Sequence, residues 1–137
     1  MKVQCIVNNL NCIENNDAVE KLSNYIGNAE GEVGLDMGSV HTVYGVEFWD
    51  NHPLYYLCVD NDEYPIPFSS VFFKVVDERL SQYWVLRTSM GFDGDFHTAL
   101  LNKEWANNTL FYERLLDGDS SAVSIFGKIK KIMDSEF

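Results

Sequence analysis

Three acids and a tyrosine crowd the stretch at 60–64, where Asp60, Asp62, Glu63 and Tyr64 stand between two segments rich in strand formers. Carboxylates at this density can hold a metal, act as general acid and base, or present charge to a partner. "DNDEYP" opens like a calcium loop, in which a tight turn supplies several oxygen ligands to a hard cation. Such a loop needs an oxygen ligand at its fifth position, glycine at its sixth and glutamate at its twelfth. This chain has Tyr64, Pro65 and Val71 there, so the calcium pattern fails. The Asp-Gly-Asp triplets at 93–95 and 117–119 are too short to be specific and read as turns. His41, His52 and His97 show neither HxxxH nor HExxH spacing, and Cys5, Cys12 and Cys58 form no CxxC. Neither a metal site nor a disulfide framework is indicated, and no cofactor is expected.

Catalysis finds no better footing. The chain has no GxSxG elbow, and Gly31, Gly34 and Gly38 are not followed by the Lys-Ser/Thr of a phosphate loop. Asp60 and Asp62 could serve as general acid and base only if one of them were desolvated enough to hold its proton, and their surroundings in the sequence do not show it. The chain reads as a non-enzyme, with no catalytic residue to name. A small hydrolase using the acid cluster is the lesser alternative.

Binding remains. Glu47, Trp49 and Asp50 fall at one turn, and Asp60, Asp62, Glu63 and Tyr64 at the next. Tyr and Trp give large contact areas, while carboxylates steer a basic partner. These seven residues are the candidate partner-binding set. The competing reading, in which the aromatics pack on the sheet and the acids solubilise turns, stays open.

Charge narrows the partner. The 137 residues carry a formal net charge of −11. Residues 1–73 hold 11 acids against Lys2 and Lys21, whereas 74–137 hold 10 acids and 8 bases. Such a balance disfavours nucleic acid and anionic membrane, both polyanions, and suits a basic protein. The apolar run in "MKVQCIVNNL" is too short for a signal peptide, and no stretch approaches the roughly 20 apolar residues that span a bilayer. A cytoplasmic protein is expected.

The elements that must position these residues can be read from periodicity. "KVQCIV" (2–7) predicts a strand, and "NNDAVEKLSNYIG" (15–27) a helix capped by Asn16 and stopped by Gly27. Residues 28–39 read as a loop. "VHTVYGVEFW" (40–49) alternates as one strand, with Val40, Thr42, Tyr44, Val46 and Phe48 on one face and a bulge or bend at Gly45. "LYYLCVD" (54–60) is its hairpin partner, "SVFFKVVD" (70–77) a third strand and "YWVLRTS" (83–89) a fourth. "HTALLNKEWANN" (97–108) reads as a helix, and "TLFYERLLDG" (109–118) as another, capped by Thr109 and stopped by Gly118. In the final helix, Val123, Phe126, Ile129, Ile132 and Met133 form the apolar stripe, with Lys128, Lys130 and Lys131 opposite. The segregation of strands and helices predicts an α+β fold. Its expected form is an antiparallel, strongly bent β-meander, a small barrel-like or half-barrel sheet, with an N-terminal helix and two to three C-terminal helices. One domain spans 1–137, β-rich over 33–90 and helical over 97–135.

The string "VYGVEFWDNHPLYYLCVDNDEYPIPFSSVFFKVVDERLSQYW", with "EWANNTLFYERLLDGD" downstream, resembles small bacterial immunity proteins of polymorphic toxin and contact-dependent growth inhibition systems. The likeness covers roughly residues 33–127 and carries no residue-level binding motif, so the seven residues above rest on their own chemistry. It implies a cytoplasmic protein that binds a cognate toxin domain, often a basic nuclease, and covers its active site or binds beside it. An interaction or regulatory module with a different partner is the alternative.

Overall fold

The structure of the chain, a computed structural model, describes residues 1–13, 33–49, 52–60, 63–91 and 94–137. Eight strands are present among them: β1 (Lys2–Cys5), β2 (Val40–Thr42), β3 (Gly45–Trp49), β4 (His52–Leu57), β5 (Ile66–Ser69), β6 (Phe73–Asp77), β7 (Trp84–Met90) and β8 (Phe96–Asn102). Three helices follow, α1 (Lys103–Asn107), α2 (Phe111–Leu116) and α3 (Ser120–Asp134). The fold is α+β, as expected. The helix expected at 15–27 lies outside the described residues.

The strands do not form one bent meander. They divide into two antiparallel sheets, β2-β1-β6 and β5-β4-β3-β8-β7, and neither closes into a barrel. The division has two causes. The expected long strand changes sheets between Val43 and Tyr44, since the Val43 amide donates to the Met1 carbonyl beside β1 and the Tyr44 amide to the Tyr56 carbonyl of β4. The 3-10 turn at Ser70–Phe72, capped by the Ser69 side chain, then turns the chain away from β5, so that β6 pairs with β1 in a register that includes Val3↔Val75.

The five-stranded sheet separates two apolar clusters. On one face Val46, Tyr55, Leu57 and Phe68 meet Val3, Cys5 and Phe73 of the smaller sheet. On the other, Tyr56, Ala99 and Leu101 meet Trp105, Phe111, Leu115, Ala122, Phe126 and Met133. Gly45 sits at a close approach, for a Cβ there would lie 2.7 Å from Leu101 Cδ2. Its role is clearance beneath the helical layer; the break in the strand is at the two residues before it.

Further expectations are corrected. Residues 97–102 form the inner strand β8, because insertion between β3 and β7 turns Ala99 and Leu101 to one side. The helix begins only at Lys103, where Asn102 Oδ1 accepts from the Trp105 amide at 3.0 Å. The helical region therefore starts later than 97. Residues 66–69, expected as connection, form the edge strand β5, where Pro67 is tolerated; β4, in turn, begins at His52 and ends at Leu57, earlier than expected at both ends. Thr109 does not cap α2; the N-cap position is Leu110, and no side chain caps it. Gly118 does follow α2, with φ of 75°. In α3, Asp119 is the cap, accepting from the Ala122 amide at 2.9 Å. Lys130 is not on a solvated side. It lies over the Tyr44 ring, 5.5 Å from the centroid, and donates to Asp134 at 2.7 Å.

Candidate functional site

The β4–β5 connection rests on an aromatic base. The Tyr112 and Trp105 rings stack with centroids 5.1 Å apart and 8° between planes. Tyr56 sets its ring edge-on to both, at 4.8 Å from Trp105 and 5.4 Å from Tyr112. Such edge contacts suit the aromatic quadrupole and add stability beyond the area buried. The Tyr112 hydroxyl donates to the Pro65 carbonyl at 2.8 Å, and Pro65 itself is fully buried. Tyr64 is half-buried against the same cluster. The exit of the connection is thus anchored, while Asp60 and Glu63 remain exposed. The anchored exit holds the chain just after Glu63, which lowers the ordering still to be done there on binding.

The seven candidate residues do not form one patch. Asp50 and Asp62 lie outside the described residues. Trp49 belongs to the far end of the β3–β4 hairpin, where its ring meets His52 edge-on at 5.7 Å. That end and the Asp60/Glu63 connection are at opposite ends of β4, about 17 Å apart at some 3.3 Å per residue. Glu47 has an internal task. Its carboxylate accepts from the Tyr56 hydroxyl at 2.7 Å, and so braces the aromatic base instead of offering itself to a partner. Burial and this carboxylate together push the Tyr56 phenol far above its ordinary range. Sequence reasoning missed Tyr56, Trp105 and Tyr112. The continuous apolar run "LYYL" signals a strand covered on both faces and so a buried Tyr56, but the two helical aromatics join it only in three dimensions.

Burial, with smaller contributions from Tyr64, Glu47 and Cys58, pushes the Tyr112 phenol up to about 12. A phenol whose folded pKa exceeds its unfolded value of about 10 adds stability that is whole below pH ~10 and lost as pH rises through the folded value. Tyr112→Phe is expected to cost about 1 kcal/mol at neutral pH through the lost hydrogen bond. It should also make the stability decline between pH ~10 and ~12 shallower, since phenylalanine does not ionise. Urea midpoints measured at neutral and alkaline pH check both, and the Glu63 and Tyr64 amides should exchange faster in the variant.

Two clefts lie apart from this region. One, of about 140 Å³, is lined by Tyr83, Asn102, Lys103, Glu104, Ile129 and Ile132, and the other by Asn8, Asn9, Gly34, Leu35 and Asp36. Neither contains a candidate residue. Among the described residues, no three His, Cys, Asp or Glu side chains are grouped to hold a metal ion, and no helix is long and apolar enough to cross a membrane. No protein-family model, curated protein or solved structure matches the chain.

Proposed function

We propose that this chain is a cytoplasmic immunity protein, which binds a cognate basic toxin domain of nuclease type and neutralises it by steric and electrostatic blocking. The observation that carries the reading is the pair of exposed acids, Asp60 and Glu63, on a connection anchored by Pro65 and Tyr112, in a chain of net charge −11. A nuclease surface is shaped for phosphates, and carboxylates presented from an anchored turn compete for the same basic side chains. Charge of this sign speeds the encounter with a basic protein, and close charge pairs at an interface can hold it. The chain itself performs no reaction and needs no cofactor; occupying the toxin surface is sufficient. A complex of ordinary size would bury about 1,200–2,000 Å² in total.

Co-expression with the neighbouring open reading frame, followed by co-purification, tests the proposal. Protection from the toxin and a complex that weakens as salt rises are expected. Absence of both protection and complex would remove the reading.

A further inference from the structure

The two edges of the five-stranded sheet are built differently. β5 is four residues long and carries Pro67, both ordinary protections against pairing with another chain. β7 is seven residues long, "WVLRTSM", with no proline, no lysine and no acid. Leu86 is 67% and Met90 63% exposed, and Phe96 and Phe48 on the same face are 75% and 44% exposed.

The phase of the β7–β8 ladder decides what the edge offers. The Gly91 amide donates to the Asp95 carbonyl at 2.8 Å, one step beyond the Met90↔Phe96 pair. Hydrogen-bonded and non-hydrogen-bonded pairs alternate in an antiparallel ladder. Val85, Arg87 and Ser89 therefore direct their N–H and C=O groups to β8, and Leu86, Thr88 and Met90 direct theirs outward.

From this we infer that β7 pairs antiparallel with β7 of a second copy, about a twofold axis at Thr88. In that register Thr88 faces its own copy, Leu86 faces Met90 in both directions, and Arg87 faces Ser89. All three outward-directed residues then enter hydrogen-bonded pairs, giving about six new backbone hydrogen bonds. No like charges stand opposite, and Leu86 and Met90 meet each other across the seam. The Arg87 guanidinium, whose Nε is buried without a hydrogen-bond partner among the described residues, gains a hydroxyl neighbour in Ser89 of the other copy. A register centred two residues earlier, at Leu86, would call on the Trp84 amide, which already donates to Ser81. The register about Thr88 is the one that brings Leu86, Thr88 and Met90 of both copies into hydrogen-bonded pairs with one another. A contact of one strand edge falls below the usual 1,200 Å², so the dimer is reversible and concentration-dependent. Two chains of −11 repel, and added salt strengthens the dimer by screening them, the opposite of its effect on a toxin complex.

Sedimentation equilibrium of the purified full chain over a wide concentration range, at low and high salt, tests this, with amide exchange as the second readout. The apparent mass should rise from 15.7 kDa toward twice that value, and the Leu86, Thr88 and Met90 amides should become protected as concentration rises. Leu86→Lys should weaken association about tenfold or more, as lysine guards natural sheet edges. Thr88→Pro removes an outward N–H, spares the β8 ladder and should abolish association with the far-UV spectrum unchanged. A chain that stays monomeric throughout overturns the proposal. So does association that survives both substitutions, or protection of the β7 amides that appears only when a different protein is added.

Discussion

Phe126→Ala is expected to lower the unfolding free energy by about 3–5 kcal/mol, the usual cost of emptying an aromatic core site. Phe126 is fully buried, and its ring meets Tyr44 edge-on at 5.7 Å. Tyr44 in turn donates from its hydroxyl to Asp134 at 2.6 Å, while its carbonyl accepts from Trp84 Nε1 at 3.1 Å. The side chain therefore fills the space where the longest helix, the crossover between sheets and the start of β7 converge. A domain of this size is stable by only about 5–15 kcal/mol, so the loss could consume a third or more of the total. Phe126→Leu retains most of the volume and should cost appreciably less. Urea unfolding followed by far-UV circular dichroism would rank the two. Equal losses would show that the aromatic contact and the filled volume matter less than the burial suggests.

Asp60→Lys combined with Glu63→Lys is expected to slow association with the proposed basic toxin partner by about tenfold or more at low salt. The change takes the formal net charge from −11 to about −7 and reverses it at the proposed point of encounter. Both side chains are exposed, so stability should stay within about 0.5 kcal/mol of the parent. Stopped-flow association rates at two ionic strengths provide the check, because the difference between parent and variant should shrink as salt rises. Unchanged rates would move the docking surface away from this connection, and an unfolded variant would reveal a structural role for these acids.

Part of this fold was legible in the sequence because part of it is local. Asp119 followed by apolar residues three and four apart specifies a capped helix wherever it lands, and α3 begins where that chemistry places it. The exposure of Asp60 and Glu63 was equally legible, since acids near prolines between two strands have nowhere cheaper to go. "HTALLN" was not legible. Leu100 and Leu101 are adjacent, which suits a helix face as well as an inner strand covered on both sides. The choice fell to β3 and β7, whose ladders β8 completes.

The candidate site divides in the same way. Composition and turn chemistry identified acids and aromatics, but could not distinguish Glu47, bound to Tyr56, from Glu63, exposed on the connection. That distinction depends on which strand faces the helical layer. The sequence by itself determined the α+β class, the acidic balance, the capped terminal helix and an acidic turn too irregular to hold calcium. Only the tertiary structure decided that the strands part into two sheets, that an aromatic base anchors Tyr64 and Pro65 at the turn's exit, and that one sheet edge is left open at β7. Capping and periodicity act between near neighbours, and so are written in the order of residues. Pairings such as Val3 with Val75, or Tyr44 with Asp134, join residues far apart in the chain, and alternation says which face is buried but never against what.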